Sequence, residues 1–571
     1  MVCLRAVLAL VGLAAFLSVG QAASLNACQL MPTCALAAAL PGCGWCWQST
    51  LTRDQQHGAR LQQEKECSSH KCVFGLSAGN TAGPTDGSPC SDWTYEYIEC
   101  MQHVDCNALP DCQNILGTYC GWCEDTKTGM RGNASGPEHG QCSNWISSID
   151  QCANITGPQH VHLSYAQQDT SMMVTFACRT NTTALATYAS ANDAGSESRQ
   201  VPAVAHAFNG TGNPDGLQYI YRAELVGLER GAYYKYSVAC EEQNSSTFTF
   251  QAKPRDPSPG NDWEAKFLVW GDMGRHGGSQ ALDRLTLEAS DDHRNVTTLI
   301  HFGDFAYDLD DNGGINGDTF MTRIQQLASH KPYMTCVGNH EIEDGSFSNY
   351  LNRFTMPRYD VNNGWDMLWH SWDVHLVHFI SYSTEVYFSN KFDIQRQYDW
   401  LEADLQAANA NRTLRPWIIA FGHRPMYCSN LDGDDCTKNS SVVRAGLEDL
   451  FHKYGVDIVF EAHEHSYERL WPTYNNTVTQ FDYINPKAAV HLVSGAAGCN
   501  EANGACLNPI LTGRLPWSAF RSSAQGTYSF GHLNIHNSTH AYFDSYVVEE
   551  ERVEDFIWII QEHHGLRNMT L

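Results

Sequence analysis

Five short stretches of this 571-residue chain place oxygen and nitrogen donors directly after apolar runs: Gly271-Asp272-Met273-Gly274, Gly303-Asp304-Phe305-Ala306-Tyr307, Gly338-Asn339-His340-Glu341, Gly422-His423-Arg424-Pro425 and Ala462-His463-Glu464-His465. Carboxylates are hard ligands and imidazoles suit transition metals. A phenol, with an ordinary pKa near ~10, binds as phenolate only beside a strong Lewis acid, so Tyr307 three residues after Asp304 points to trivalent iron. Each stretch alone has a local explanation, because Asp after a strand caps a helix and an Asn-His pair makes a turn. Five at successive strand ends are read together as one metal centre, since ligands of α/β sheets gather at the carboxyl ends of strands.

The elements that must position these donors are legible as continuous apolar runs at 266–270, 297–302, 333–337, 374–380, 417–421, 458–460 and 490–493, the pattern of strands buried on both faces. Helical periodicity occupies 394–408 and 441–454, which predicts a layered α/β domain over 263–571. Upstream, shorter alternating segments at 161–165, 172–176, 219–225 and 233–238 predict an all-β sandwich over 157–253, similar to fibronectin type III, with Cys178 and Cys240 on two strands as candidates for a bridge. The proline-rich stretch within 254–262 is the expected linker.

Composition bounds the function. A net charge of −27 argues against nonspecific nucleic-acid binding and against docking on an anionic membrane, though bound cations can reverse the local sign at a site. Residues 1–23 have the form of a cleaved secretory signal, and no later run is apolar enough for an anchor, so the expected location is secreted, extracellular or an endomembrane, lysosome-like lumen. Eleven glycosylation sequons agree with that route: Asn133, Asn154, Asn181, Asn209, Asn244, Asn295, Asn411, Asn439, Asn475, Asn537 and Asn568. Of 22 cysteines, fourteen lie between Cys28 and Cys152, in two copies of a spacing that each contain Cys-x2-Cys around Gly-Trp, at Gly44-Trp45 and Gly121-Trp122. In an oxidising compartment disulfides are preferred to zinc for these thiols, with the pairing left open. The pattern resembles two plexin-semaphorin-integrin type cysteine-rich repeats, over 24–100 and 101–156, whose binding partner is unknown.

Taken in order, Gly-Asp-x-Gly, Gly-Asp-x-x-Tyr, Gly-Asn-His-Glu, Gly-His-Arg-Pro and Ala-His-x-His resemble the purple acid phosphatases of the metallophosphoesterase superfamily, in their long eukaryotic branch. The resemblance implies that Asp272, Tyr307 and His465 hold Fe(III), that Asn339, His423 and His463 hold a divalent ion (Zn, Fe or Mn), and that Asp304 bridges them. Three protein anions then face about five cationic charges, which leaves the pair attractive to phosphate. It further implies hydrolysis of phosphomonoesters, from small molecules or phosphoproteins, by a metal-activated hydroxide, with His340 and Asp304 as the catalytic residues. Plant members carry histidines shortly after the Gly-His-x-Pro motif, whereas residues 427–436 have none but include Asp432, Asp434 and Asp435, leaving the general acid open. Cys428 with Cys436, and Cys499 with Cys506, are expected to bridge their loops, and Cys336 is then a lone buried thiol. Two other functions stay open: a phosphodiesterase or nucleotidase using zinc or manganese, against which Tyr307 argues, and an adhesive or receptor-like protein with a vestigial phosphatase domain.

Overall fold

The computed structural model describes most of residues 157–569 and, ahead of them, short stretches between 43 and 146. Met1–Ala108 is a unit of its own, in which Gly83–Pro84, Lys71–Leu76, Cys43–Trp47 and Asp92–Thr94 form one sheet in that order. In the second unit, Leu109–Leu571, the strands Gly136–Pro137, Thr128–Asn133, Cys120–Cys123 and Trp145–Ile146 pair in the same succession, and a disulfide joins Cys123 to Cys142.

Nine strands follow: β1 (Gln159–Tyr165), β2 (Met172–Cys178), β3 (Ala184–Ser190), β4 (Arg199–Pro202), β5 (Val204–Asn209), β6 (Leu217–Leu225), β7 (Tyr233–Cys240), β8 (Gln243–Asn244) and β9 (Phe248–Gln251). They form two antiparallel sheets, β5-β6-β2-β1 and β4-β3-β7-β8 with β9 also on β7. The sequence pattern marked four of these strands; the Ala-, Ser- and Thr-rich β3 lacks the bulky alternation that would reveal it. Val174, Phe176, Tyr188, Tyr236 and Phe250 fill the space between the sheets, and the expected Cys178–Cys240 disulfide joins β2 to β7.

The α/β part is built on two large sheets, beside a small hairpin of Thr473–Tyr474 with Thr477–Val478. The first runs β12-β11-β10-β20-β21-β22, built from β10 (Ala265–Trp270), β11 (Val296–His301), β12 (Tyr333–Thr335), β20 (Ser529–Ile535), β21 (His540–Val547) and β22 (Arg552–Ile560). The second runs β13-β14-β15-β16-β18-β17-β19, from β13 (His370–Val374), β14 (Val377–Ser381), β15 (Trp417–Phe421), β16 (Ile458–Glu461), β17 (Tyr467–Leu470), β18 (Val490–Ser494) and β19 (Ser518–Arg521). One expectation is corrected here: the run 374–380 is not one strand, because it holds the last residue of β13, a two-residue turn at His375 and Leu376, where His375 takes a positive φ of 57°, and most of β14. Its apolar side chains conceal that turn because a lone His is not a turn signal by composition.

The sheets face each other through aromatic side chains. Phe302 lies 5.4 Å from Phe460 and 5.6 Å from Phe421, and Phe267 lies 4.9 Å from Phe379. Each such fully buried ring is worth about 2–3 kcal/mol of transfer free energy. On the outer faces pack α1 (Ser279–Ser290) and α2 (Ile315–Ala328) beside β10–β12, and α4 (Ile394–Ala410) and α5 (Val442–Lys453) against β14–β16; the short α3 (Ser348–Arg353) precedes β13. Leu401 and Leu405 of α4 and Val443, Leu447 and Leu450 of α5 are the apolar stripe that meets Ile418, Ala420 and Val459. Side-chain caps start both helices, from Asp393 and Ser441.

The sandwich docks through β1. Tyr165 Oη lies 2.9 Å from Thr298 Oγ1, Val161 N donates to Gln325 Oε1 at 2.8 Å, and Arg222 reaches Thr355 and Asn352. Beside this seam a cavity of about 200 Å³ is lined by Asp169, Lys253, Asp373 and His378 among others. His378 is held between Asp373 (2.7 Å) and Asp404 (2.9 Å). Burial alone would lower its pKa, but the two carboxylates outweigh that and raise it to about 9. His532 is likewise buried between Asp544 and Glu288, at 2.6 Å each, and is raised to about 9. Each folded-state value exceeds the ordinary value of about 6.5, so the stabilisation is fully present below about pH 6.5 and is lost as pH rises through about 9. Urea midpoints measured from pH 6.5 to 10 should therefore fall, and His378→Gln should flatten the slope by up to about one proton, ~1.4 kcal/mol per pH unit. Identical slopes in the two proteins would refute this role of His378.

Candidate metal centre

The five donor stretches lie at the carboxyl ends of strands from both sheets, so the site is an inter-sheet cleft and not the edge of a single sheet. Asp272 follows β10, Asp304 follows β11, and the short turn Asn339–Glu341 comes after β12; His423 and His463 follow β15 and β16. Hydrogen bonds splice the loops, Asp272 N to Gly303 O at 3.2 Å and Ala462 N to His423 O at 2.7 Å. Close approach has a steric requirement. A Cβ on Gly303, itself at φ +85°, would stand 2.5 Å from Gly338 N, and one on Gly338 would stand 2.2 Å from Asp304 Oδ1.

Asp272, Asp304, Tyr307, Asp308 and His463 all have positive φ, between 53° and 71°. For side chains this large the left-handed region costs of order 1 kcal/mol or more apiece, and strain held by several neighbours at once is a mark of a functional site.

The donors fall into two groups. In the first, Tyr307 Oη is 2.7 Å from His465 Nε2 and 3.3 Å from Asp272 Oδ1, and His465 Nε2 is 3.3 Å from Asp272 Oδ1. In the second, His423 Nε2 is 3.1 Å from Asn339 Oδ1, 3.2 Å from Asp304 Oδ2 and 3.3 Å from His463 Nδ1. Donors bound at about 2.0–2.2 Å to one ion stand about 2.8–3.6 Å apart, so both groups have the edge lengths of a coordination polyhedron. Hydrogen bonding does not account for the whole second group: one imidazole nitrogen carries at most one proton, yet Asn339 Oδ1, Asp304 Oδ2 and His463 Nδ1 all converge on His423 Nε2. The ring's other nitrogen lies 2.7 Å from Phe302 O, which directs Nε2 into the cleft. The residues fit a pair of cations. Every expected ligand is in one or other group.

Electrostatics agree with a site built for positive charge. Burial would raise Asp304, but the adjacent His423 and other histidines hold it well below the usual carboxylate range. Burial would lower His423, and the Asp304 charge reverses this. Glu341, quoted in the sequence motif as a potential ligand, instead accepts the amides of Asp304 and Gly338 at 2.8 Å and of Phe305 at 3.0 Å. Burial and then the Asp304 charge push Glu341 up, the amides opposing. It braces two of the donor loops from beneath.

His340 stands beside the first group, its ring 4.6 Å from that of Tyr307, its Nδ1 3.1 Å from Asp308 Oδ1 and its backbone N 3.0 Å from Asp304 Oδ1. Asp308 was not singled out from sequence, although it directly follows Tyr307. Two further residues were missed: Arg424, whose Nε lies 3.0 Å from both Glu385 carboxylate oxygens, and Glu385 itself, fully buried. The expected Cys428–Cys436 disulfide is present and Cys336 is a buried free thiol, whereas Cys499 and Cys506 lie outside the described residues. Of the sequons, Asn181, Asn209, Asn244, Asn295, Asn439, Asn475, Asn537 and Asn568 are exposed and Asn411 is half-buried; Asn154 and the Asn133 side chain lie outside the described residues.

Comparison with known proteins places three families along the chain: the purple acid phosphatase N-terminal domain at 158–252, the calcineurin-like phosphoesterases at 265–467, and the iron/zinc purple acid phosphatase-like C-terminal family at 488–555. Acid phosphatase type 7 of Mus musculus is 41% identical over 436 residues, spanning 73% of this chain and 93% of the mouse protein. The Homo sapiens protein of the same name is 41% identical over 437 residues, with the same coverage of 73% and 93%. Among solved structures, a purple acid phosphatase from seeds of yellow lupin (Lupinus luteus) superposes with a TM-score of 0.60 at 22% identity, over 76% of this chain and 79% of that one.

Proposed function

This chain belongs to the purple acid phosphatase family and is a metal-dependent phosphatase, and from that premise we propose that it hydrolyses phosphomonoesters at a dinuclear Fe(III)–M(II) centre. In this reading Asp272, Tyr307 and His465 hold the iron, Asn339, His423 and His463 hold the divalent ion, and Asp304 joins the two. The observation that carries it is the pair of donor groups at coordination-edge spacing, 2.7–3.3 Å, from residues as far apart in sequence as Asp272 and His465. When bound, the two cations supply Lewis acidity and lower the pKa of an attacking water.

The residues supply the rest. All three anionic ligands are given to the trivalent half or the bridge, so the other half keeps neutral ligands and its charge is left for a phosphate oxygen. His340, on the solvent side at 20% side-chain exposure and oriented by Asp308, is placed to hold the phosphate or pass a proton to the leaving oxygen. Phe302, Phe421 and Phe460 form an apolar floor behind the donors that excludes water from that side.

The domain boundaries and the fibronectin type III and cysteine-rich-repeat assignments given above are proposed with it. So are secretion and glycosylation, supported by the sequons on exposed positions; among the described residues no helix is long and apolar enough to cross a membrane.

Purified protein should contain one iron and one divalent ion per chain and absorb in the visible through a tyrosinate-to-iron transition, with Tyr307→Phe abolishing the band. It should cleave a chromogenic monoester in mild acid at least tenfold faster than the matching diester. A metal-replete protein without the band, or one that prefers the diester, would overturn the iron monoesterase assignment.

A further inference from the structure

The loop between β15 and α5 is tied to the second donor group by contacts with no role in the function proposed so far. Asp434 Oδ2 lies 2.5 Å from His463 Nε2, on the opposite side of the ring from Nδ1, which stands 3.3 Å from His423 Nε2. We propose that Asp434 is the positioning residue of the divalent half-site: it takes the Nε2 proton of His463 in a hydrogen bond, commits Nδ1 to the cation, and is kept in place by the Cys428–Cys436 disulfide. This rests on the metal centre proposed above.

A neutral imidazole carries one proton, and two neighbours compete to decide where. Arg424 Nη1 lies 2.9 Å from the same Nε2 and, as a donor only, would favour a bare Nε2 with the proton on Nδ1, where no cation could bind. Asp434, an acceptor only, favours the proton on Nε2. Arg424 has other anionic partners, since its Nε is shared by both oxygens of Glu385 at 3.0 Å and Nη1 is 3.6 Å from Asp434 Oδ1, so it can turn from the imidazole without losing them. Asp434 therefore sets the tautomer, and its charge makes Nδ1 a better donor.

Asp434 is fixed by its neighbours in the chain. Thr437 donates to its carbonyl from N at 3.1 Å and from Oγ1 at 2.7 Å. Asp435 accepts from Ser441 Oγ and from the amides of Val442 and Val443, which joins the loop to the start of α5. On the other side Trp517 Nε1 donates to Cys428 O at 3.0 Å. Between these anchors the disulfide closes the loop, and its sulfurs contact Glu464 Oε1, at 3.1 Å from Cys436 and 3.8 Å from Cys428. Glu464 is buried and separates the two ligands His463 and His465, so the loop's covalent tie touches the ligand segment itself.

The test is competitive titration of Zn(II) against a chelating dye, on full-length protein that retains iron but has been stripped of its divalent ion. Asp434→Ala should weaken Zn(II) binding about 10–100-fold, and Asp434→Asn, which keeps an acceptor but not the charge, should weaken it less. The double variant Cys428→Ser/Cys436→Ser should also bind Zn(II) more weakly, with the iron content and visible band unchanged in all three. Wild-type-like affinity in Asp434→Ala, beside normal uptake by the wild type, would overturn the positioning role and leave the metal centre standing. Equal loss of iron and zinc would overturn it too, because the loop would then support the whole site. No divalent uptake by the wild type would instead remove the metal centre and this role together.

Discussion

Asp304→Asn should lower kcat for a phosphomonoester by about a thousandfold or more while the protein keeps its fold. The substitution is nearly isosteric, and the pocket is shaped for that side chain: Asp304 is 1% exposed, and Gly338 has no Cβ to clash with Oδ1. What changes is charge. Three anions offset the cations in the proposed centre, and removing the one proposed to join its halves would unbalance both, while turning an amide NH₂ toward His423 Nε2, 3.2 Å from Oδ2, would set donor against cation or donor against proton. Metal analysis should show loss of at least one ion per chain. Turnover within tenfold of wild type, in a variant whose thermal midpoint shows it folded, would rule Asp304 out of the centre.

His340→Ala is expected to lower kcat by about 10²–10³-fold with both metals retained. The backbone of His340 is held by its own contacts, including the hydrogen bond its N–H donates to Asp304 Oδ1 at 3.0 Å and the turn Asn339–Glu341 braced by Glu341, so losing the imidazole leaves Asn339 and Asp304 where they were. A role in proton delivery predicts a graded loss: larger for an alkyl phosphate, whose leaving oxygen needs a proton, than for a nitrophenyl phosphate, whose leaving group departs as an anion. Asp308→Asn, which keeps a hydrogen-bonding partner at Nδ1 but removes its charge, should give a smaller loss of the same graded kind. An equal loss on both substrates with metal retained would assign His340 to holding the phosphate and not to proton delivery, and release of metal would mean that the side chain only supports the ligands.

Much of the fold is legible because the buried strands β10, β11, β15, β16 and β18 are predominantly apolar runs, with few polar residues such as Lys266, Thr298 and His491 among them, followed closely by glycine or alanine, a local signal. The hairpin at His375 was hidden because apolar Val374, Leu376 and Val377 run across the turn with no glycine, proline or asparagine to mark it. So was the partition into two sheets, since a parallel strand reads the same whichever sheet it joins. Within the site, Asp272, Asp304, Tyr307, Asn339, His423, His463 and His465 stood out by residue type and by position after a strand. Asp308, Glu341 and Asp434 did not stand out in their observed contacts, since an acidic residue in a loop is common and its partner lies 32, 36 or 29 positions away, as for His340, Phe305 and His463.

The sequence by itself determined which donors exist, their order along the chain and the presence of a phenol among them, because residue type and strand termination are local properties. Only the tertiary structure decided the distances within the two donor groups, that Glu341 is spent on backbone amides, and which face of His463 meets the cleft. Those outcomes depend on how two sheets face one another across Phe302, Phe421 and Phe460, and on a disulfide-closed loop reaching His463 through Asp434. No spacing within a single element encodes such long-range contacts.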